Sequence, residues 1–360
     1  MRAAVLNKAG DSLLEVRDDV ELVDLGPDEV RVRIGASGIC HSDLSAINGG
    51  LWIPTPAVMG HEGAGVVDAI GENVTHVKPG DHVVIAVSVP CGECRNCLER
   101  KTPHLCGNLF FEVAGKPHFR SGGQPLAAMG AIGTFCGMVT IRKESAIVVP
   151  DDVPFEVAAL LGCGVTSGLG AVLNTVQVTA GSSVVVIGLG GVGIAALQGA
   201  RLAGAEVVLG VDTVESRTAQ ARQFGATHTC APEELQDLTT KLTGDGFDYA
   251  FEAAGSAIAM RAAYDSARRG GTACVIGQAA ESEQLCLSAS EIYYNEKRLT
   301  GSYHGSADFA SDIGRFIEYW RTGALDLAGM ITHRFGLEDI NEGFRHMAGG
   351  VGIRSVVTSF

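Results

Sequence analysis

Four cysteines, Cys91, Cys94, Cys97 and Cys106, fall within one short stretch, the first three in a C-x-x-C-x-x-C run. Such spacing lets one loop wrap a single tetrahedral ion through four thiolates. With every position filled and none left for water, an ion held there is structural. A reactive zinc instead requires three protein ligands and an open position. Cys40 in "GICHSD", His61 in "MGHEGAG" and Cys163 in "LLGCGVTSG" are of the right types, each in a glycine-bounded loop. On spacing alone these three read equally well as metal ligands or as core and turn residues.

A third chemistry is written in "VVVIGLGGVG", where an apolar strand runs into Gly188-x-Gly190-x-x-Gly193 and then a helix. Glycines at these positions allow a tight turn, close approach of backbone to a pyrophosphate, and helix-on-strand packing, while the helix N-terminus supplies free N–H groups. The motif alone is weak, since tight packing turns share it. Here the next strand, "EVVLGVD", ends in Asp212, about twenty residues downstream, where a ribose-binding acid is expected. Asp212 accepts from ribose hydroxyls and repels a 2′-phosphate, which favours NAD over NADP.

The elements that must hold these groups change character along the chain. The first half reads as short strands punctuated by glycine and proline, such as "EVRVRIGASG", "GAGVVDAIG" and "KPGDHVVI". From about Val165, short apolar strands alternate with helical stretches, which means βαβ units and a parallel sheet. Further strands are expected at "FDYAFEAAG", "GGTACVIGQ" and the terminal "RSVVTSF", and an amphipathic helix at "FASDIGRFIEYWRTG". Cys106 to Thr134 is the longest irregular insertion, long enough to suggest a functional or interface loop.

A length of 360 residues with 46% hydrophobic content exceeds what one core usually serves, so two domains are expected. The start lacks the hydrophobic region of a signal peptide, and no apolar run reaches the ~20 residues of a membrane helix. A cytoplasmic protein with no membrane partner is the expectation. The net charge of −14, without a dense Lys/Arg cluster, gives no basic face for nucleic acid. Ten cysteines in such a chain point to metal binding or catalysis rather than disulfides. The remaining four, Cys136, Cys230, Cys274 and Cys286, are expected as small core residues.

In order, "GHEGAGVV", the four-cysteine loop, "GCGVTSG" and "VIGLGGVG" resemble the zinc-dependent medium-chain alcohol dehydrogenases, from "GICHSD" to the terminal strand. Among them the chain is similar to the longer-insert forms, which include animal-type alcohol, glutathione-dependent formaldehyde and bacterial aryl-alcohol dehydrogenases. The resemblance implies an α/β fold: a GroES-like β-rich catalytic domain over 1–164 and 304–360, and a doubly wound parallel-sheet Rossmann domain over 165–303 that binds NAD, with the active site in the cleft between them. It makes Cys40, His61 and Cys163 ligands of a catalytic zinc and the four-cysteine loop the holder of a structural one. Glu62 matches an acid behind the metal that serves as a transient ligand, and Asp43 the carboxylate that orients the ligating histidine. Ser42 matches the hydroxyl that takes the alcohol proton. His41 and Arg354 match basic groups set against the cofactor pyrophosphate, and Arg217 is counted with the cofactor-binding positions.

By family position Trp52, Val87, Met129 and Tyr303 line the substrate channel, with a valine where many relatives carry a bulky aromatic. The expected substrate is accordingly a primary alcohol or aldehyde bearing a sizeable apolar or aromatic group. The chain departs from the family pattern twice. Ser45 stands where many members have a histidine that completes a proton relay, and Cys97 and Cys106 lie one residue further apart than usual. A thiol-adduct formaldehyde dehydrogenase, with Lys116 and Arg120 as cationic pocket residues, is an alternative, as is an enzyme that keeps its NAD permanently. A non-catalytic zinc protein fits poorly with the complete ligand set. Members of this kind are homodimers that pair their Rossmann sheet edges, or tetramers.

Overall fold

A computed structural model describes residues 1–109, 117–280 and 282–360. By its contacts the chain divides into two compact units: Met1–Cys163 with Asp308–Gly323 and Leu327–Phe360, and Gly164–Ala307 with Ala324–Asp326.

The first unit is built of sheets. Its longest strand, β1 (Glu29–Ile39), buries Val30, Val32, Ile34 and Ala36 while Arg31 and Arg33 sit on the less buried side, the period of two that a pleated strand imposes. Helix α1 (His41–Ile47) follows directly, with Cys40 as its extended N-cap residue. Strand β2 (Glu62–Ile70) runs antiparallel to β1, with Gly38 opposite Glu62. That register sets Cys40, just past the end of β1, close to His61, just before the start of β2. An apolar core including Val30, Val32, Ile85, Phe119 and Ile141 lies under this sheet.

In the second unit six strands are all parallel: β3 (Ser183–Ile187), β4 (Val207–Val211), β5 (His228–Cys230), β6 (Phe247–Glu252), β7 (Ala267–Val275) and β8 (Arg298–Gly301). Helix α2 (Gly191–Leu202) connects β3 to β4, and α3 (Ala257–Ser266) connects β6 to β7. Their order across the sheet is β5-β4-β3-β6-β7-β8, the doubly wound arrangement in which strand order reverses between β3 and β6. Val184, Val185, Val186 and Ile187 are all buried, as a strand covered by helices on both faces requires. The expected combination of a β-rich domain and a Rossmann domain is present.

The chain returns to the first unit for its last strand, β9 (Arg354–Ser359), which lies antiparallel to β1 on the side opposite β2, with Val356 opposite Gly38. Cys136, Cys230 and Cys274 are buried as expected. Cys286 is not: it stands exposed in the coil before the helix Ala289–Asn295, where its neighbours Glu283, Gln284 and Ser288 are also exposed, so it is a surface thiol. Among the described residues no helix is long and apolar enough to cross a membrane.

Candidate metal centres and dinucleotide site

The ligand atoms of Cys40, His61, Glu62 and Cys163 all lie within 4.8 Å of one another, and all four residues are buried. Three widely spaced segments of sequence meet because β1 and β2 pair in the register above and Cys163 follows the helix Phe155–Leu160 packed against them. His61 Nδ1 lies 3.2 Å from Asp43 Oδ1, which also accepts the Gly60 N–H at 3.0 Å. Gly60 has a φ of +91°, and a Cβ there would stand 2.7 Å from the Phe135 nitrogen, so the turn that aims His61 admits only glycine. With Nδ1 committed to Asp43, Nε2 is left buried with no hydrogen-bond partner. An orphaned imidazole nitrogen among two thiols and a carboxylate is what a soft-ligand zinc site presents before its ion, since Zn–S bonds of about 2.3 Å and Zn–N bonds of about 2.0 Å span such a spacing.

The electrostatics agree. The hydrogen bond from the Cys163 thiol, with the His61 and Arg354 charges, holds Cys40 well below the usual thiol range despite burial. Burial alone would lower the His61 pKa, but the Asp43 carboxylate and Cys40 raise it to about 10. The pocket thus favours a cation.

The Arg354 guanidinium, 6% exposed, pairs with Glu62. Ser42 is half-buried with Oγ 3.9 Å from Cys40 Sγ, while His41 is exposed in the first turn of α1. Val87 borders the cluster: a Cβ built on Gly130, whose φ is +59°, would lie 3.1 Å from Val87 Cγ2 and 3.5 Å from His61 Cβ. Met129, the preceding residue, is buried in the core that includes Met59 and Phe135. Trp52 is 78% exposed, and Tyr303 belongs to the other unit, its ring 4.4 Å from that of His304. Arg120 is an exposed residue of the strand Phe119–Ser121, and Lys116 lies outside the described residues.

The sulfurs of Cys91, Cys94, Cys97 and Cys106 also fall within 4.8 Å of one another. Neighbouring pairs are 3.4 Å (Cys91–Cys106), 3.5 Å (Cys94–Cys97) and 3.7 Å (Cys94–Cys106) apart. Between Cys97 and Cys106 the chain makes a 3₁₀ turn at Pro103–Leu105, which ends at Cys106. Backbone N–H groups of Cys91, Cys94 and Asn108 donate to the sulfurs of Cys106 and Cys91. The N–H groups of Cys97 and Gly107 pull the Cys94 thiol down to about 6, whereas burial and the neighbouring Cys94 sulfur push Cys97 up to about 12. The four sulfurs become thiolates together only around a cation, and the set fits a closed zinc site.

In the second unit the three motif glycines divide their work. A Cβ on Gly188, at φ +95°, would come within 2.6 Å of the Ala254 nitrogen, and one on Gly193 within 1.7 Å of the Gly188 oxygen. Gly190 faces open space, with nothing within 4 Å of such a Cβ, and it caps α2 with no side chain bonded to the helix amides. Turn, helix packing and an uncovered amide end are what a pyrophosphate cradle requires. Asp212 is buried at the end of β4; its Oδ2 accepts from the Leu189 N–H at 2.7 Å and its Oδ1 from Val214 at 2.8 Å, with Arg217 Nη1 3.8 Å away. The carboxylate is thereby fixed beside the glycine turn, and it fits a ribose diol.

Two features had no signal in the sequence. Gly130 beside His61 is one glycine among many, and the Arg354–Glu62 pair joins residues far apart in the chain, which only the strand order brings together.

The family described as "Alcohol dehydrogenase GroES-like domain" matches residues 26–151, and "Zinc-binding dehydrogenase" matches 191–319. The chain is 35% identical, over 99% of both chains, to an S-(hydroxymethyl)glutathione dehydrogenase of Paracoccus denitrificans. Its fold superimposes on an alcohol dehydrogenase zinc-binding domain protein of Burkholderia ambifaria with a TM-score of 0.94, at 32% identity, covering 100% of this chain and 98% of the other. For benzyl alcohol dehydrogenase of Acinetobacter calcoaceticus the TM-score is 0.92, at 28% identity, covering 100% and 99%.

Proposed function

We propose that this chain, which belongs to the zinc-dependent medium-chain alcohol dehydrogenases, interconverts a primary alcohol carrying a sizeable apolar or aromatic group and its aldehyde. It is an NAD-dependent oxidoreductase that uses zinc. The observation that carries the substrate reading is the small side of the metal cluster, where Val87 and Gly130 pack beside His61. The likeness to a benzyl alcohol dehydrogenase supports it.

In this reading Cys40, His61 and Cys163 hold the catalytic ion, and the loop of Cys91, Cys94, Cys97 and Cys106 holds a structural one. Zinc when bound supplies a Lewis acid that acidifies a ligated alcohol, and NAD supplies the hydride acceptor. The Ser42 hydroxyl takes the alcohol proton and passes its own outward. Ser45, also half-buried in α1, has no imidazole to extend that route, so the next proton acceptor would be water or a hydroxyl of the bound cofactor. Asp43 keeps His61 in the tautomer that presents Nε2. Arg354 balances Glu62, which leaves two thiolates to offset the metal's charge. The Gly188–Gly193 turn receives the pyrophosphate and Asp212 the adenosine ribose, with Arg217 at its flank.

A homodimer is proposed as the assembly, since β8 is an edge strand and Leu299 on it, with Ile292, Tyr293 and Tyr294 nearby in sequence, is exposed. The test of function is metal content together with NADH absorbance over a panel of alcohols. Two zincs per chain and a preference for benzyl alcohol over ethanol and polyols are expected; preference for ethanol or a polyol defeats the substrate reading.

The similarity to S-(hydroxymethyl)glutathione dehydrogenase favours a second reading, oxidation of a thiol–formaldehyde adduct. Turnover with formaldehyde that depends on added glutathione, exceeding that with benzyl alcohol, would select it. Nucleotide released on denaturing fresh protein would reveal permanently held NAD.

A further inference from the structure

The parallel sheet contains a buried carboxyl to which the reaction assigns no task. Glu252, the last residue of β6, is 0% exposed. Its Oε1 accepts the N–H groups of Ala254 at 2.7 Å and Gly255 at 2.5 Å, while Oε2 has no hydrogen-bond partner. Burial pushes this carboxyl above the ordinary range, and the N–H groups of Gly255, Ala254, Ser256 and Gly277 pull against that shift.

These amides come from two loops, one after β6 and one after β7. Glu252 also binds the second loop through its backbone, its carbonyl accepting from Ile276 at 2.8 Å and Gly277 at 3.1 Å. The loops touch: a Cβ on Gly277 would lie 2.3 Å from the Gly255 nitrogen and 2.9 Å from Glu252 Oε2. The first loop also abuts the cofactor turn, since Ala254 N is the atom that a Cβ on Gly188 would strike.

A doubly wound sheet binds a dinucleotide at its reversal point, each half serving one nucleotide. The half containing β3, β4 and β5 ends in the open amide turn at Gly188 and in Asp212, which suits the adenosine side. The half containing β6, β7 and β8 is left for the nicotinamide side. Its first turn, directly across the reversal, has the same kind of converging amides, but an internal carboxyl fills them. Phosphate thus has one cradle rather than two, and the second turn is held rigid.

We propose that Glu252 is a positioning residue for the nicotinamide half of the cofactor, tying the loops after β6 and β7 into one wall. This rests on the NAD reading above. The test titrates zinc-loaded, full-length protein with NADH and, separately, with ADP-ribose, which lacks the nicotinamide. Glu252→Ala should weaken NADH about tenfold, the scale of losing two hydrogen bonds, while ADP-ribose stays within about twofold. Glu252→Gln, which keeps an oxygen for Ala254 and Gly255, should recover most of the NADH affinity. Should Glu252→Ala not fold, Glu252→Asp, too short to reach both amides, decides by the same comparison. Unchanged NADH affinity, or equal losses for both ligands, overturns the inference. Wild-type protein that binds neither ligand overturns the NAD reading, and the inference with it.

Discussion

The Arg354 side chain reaches Glu62 by crossing over Gly38, the residue that lies between them on the central strand of three. A Cβ at Gly38 would stand 2.2 Å from Glu62 Oε2 and 3.0 Å from Arg354 Nη2, so the glycine is the gap through which the pair closes. Both charges are buried. Removing one partner of such a pair leaves an uncompensated charge, at a cost of about 3–5 kcal/mol. Arg354→Ala should therefore lower the unfolding midpoint strongly, and Gly38→Ala, which wedges the pair apart, should lower it less, at a stability cost of about 1–3 kcal/mol. Urea titration of both variants checks this, and an unchanged midpoint in Arg354→Ala would show the pair to be unimportant for stability.

Asp43 is expected to act through His61. Orienting carboxylates behind metal-bound histidines are worth about 10–100-fold in metal affinity or activity. Asp43→Ala should lose one zinc of two on dialysis against a mild chelator while the other is retained, and turnover should fall with the zinc. Retention of both ions and of activity would mean that backbone contacts alone aim the imidazole.

The four-cysteine loop and the glycine turn were legible in the sequence because each is local: a handful of residues along a single segment carries all the chemistry. Cys40, His61 and Cys163 are different. Without the family resemblance each was one polar residue in a glycine-bounded loop, and only the β1–β2 register and the chain's return at Cys163 make them a site. Glu252 and Gly130 were not legible at all, because their meaning lies in contacts between loops. Cys286 departs from the expected core position because composition says where cysteines usually go, whereas its place in an exposed coil depends on the packing around it.

The loop cysteines make a separable prediction. Cys94→Ser weakens a set that needs all four thiolates, and structural zinc carries folding free energy. Elemental analysis should read one zinc per chain and the melting temperature should fall, whereas NADH binding, which in the proposed reading rests chiefly on the glycine turn and Asp212 of the other unit, should persist. Loss of both ions together would show that the loop supports the reactive cluster more directly than their separate sequence segments suggest.

Asp212 is tied by two backbone N–H groups and carries the negative charge that would face a 2′-phosphate. Placing like charges together costs several kcal/mol. Asp212→Ser, with Arg217 left in place, should shift the ratio of kcat/KM for NADP over NAD upward by at least about tenfold. An unchanged ratio would mean that cofactor choice is made elsewhere.

Val87 provides the sharpest test of the substrate reading, because it sits where a larger side chain would fill the space bordering His61 and Gly130. If the room beside the metal cluster accommodates an aromatic ring, Val87→Phe should exclude it while sparing a two-carbon substrate. Steric discrimination in an apolar pocket is worth about 10–200-fold. The kcat/KM for benzyl alcohol should then fall by at least about tenfold relative to that for ethanol, through KM more than kcat, with zinc content unchanged. A uniform loss for both alcohols would indicate that the substitution disturbs His61 itself, and no loss for either would place the aromatic group on another wall of the site.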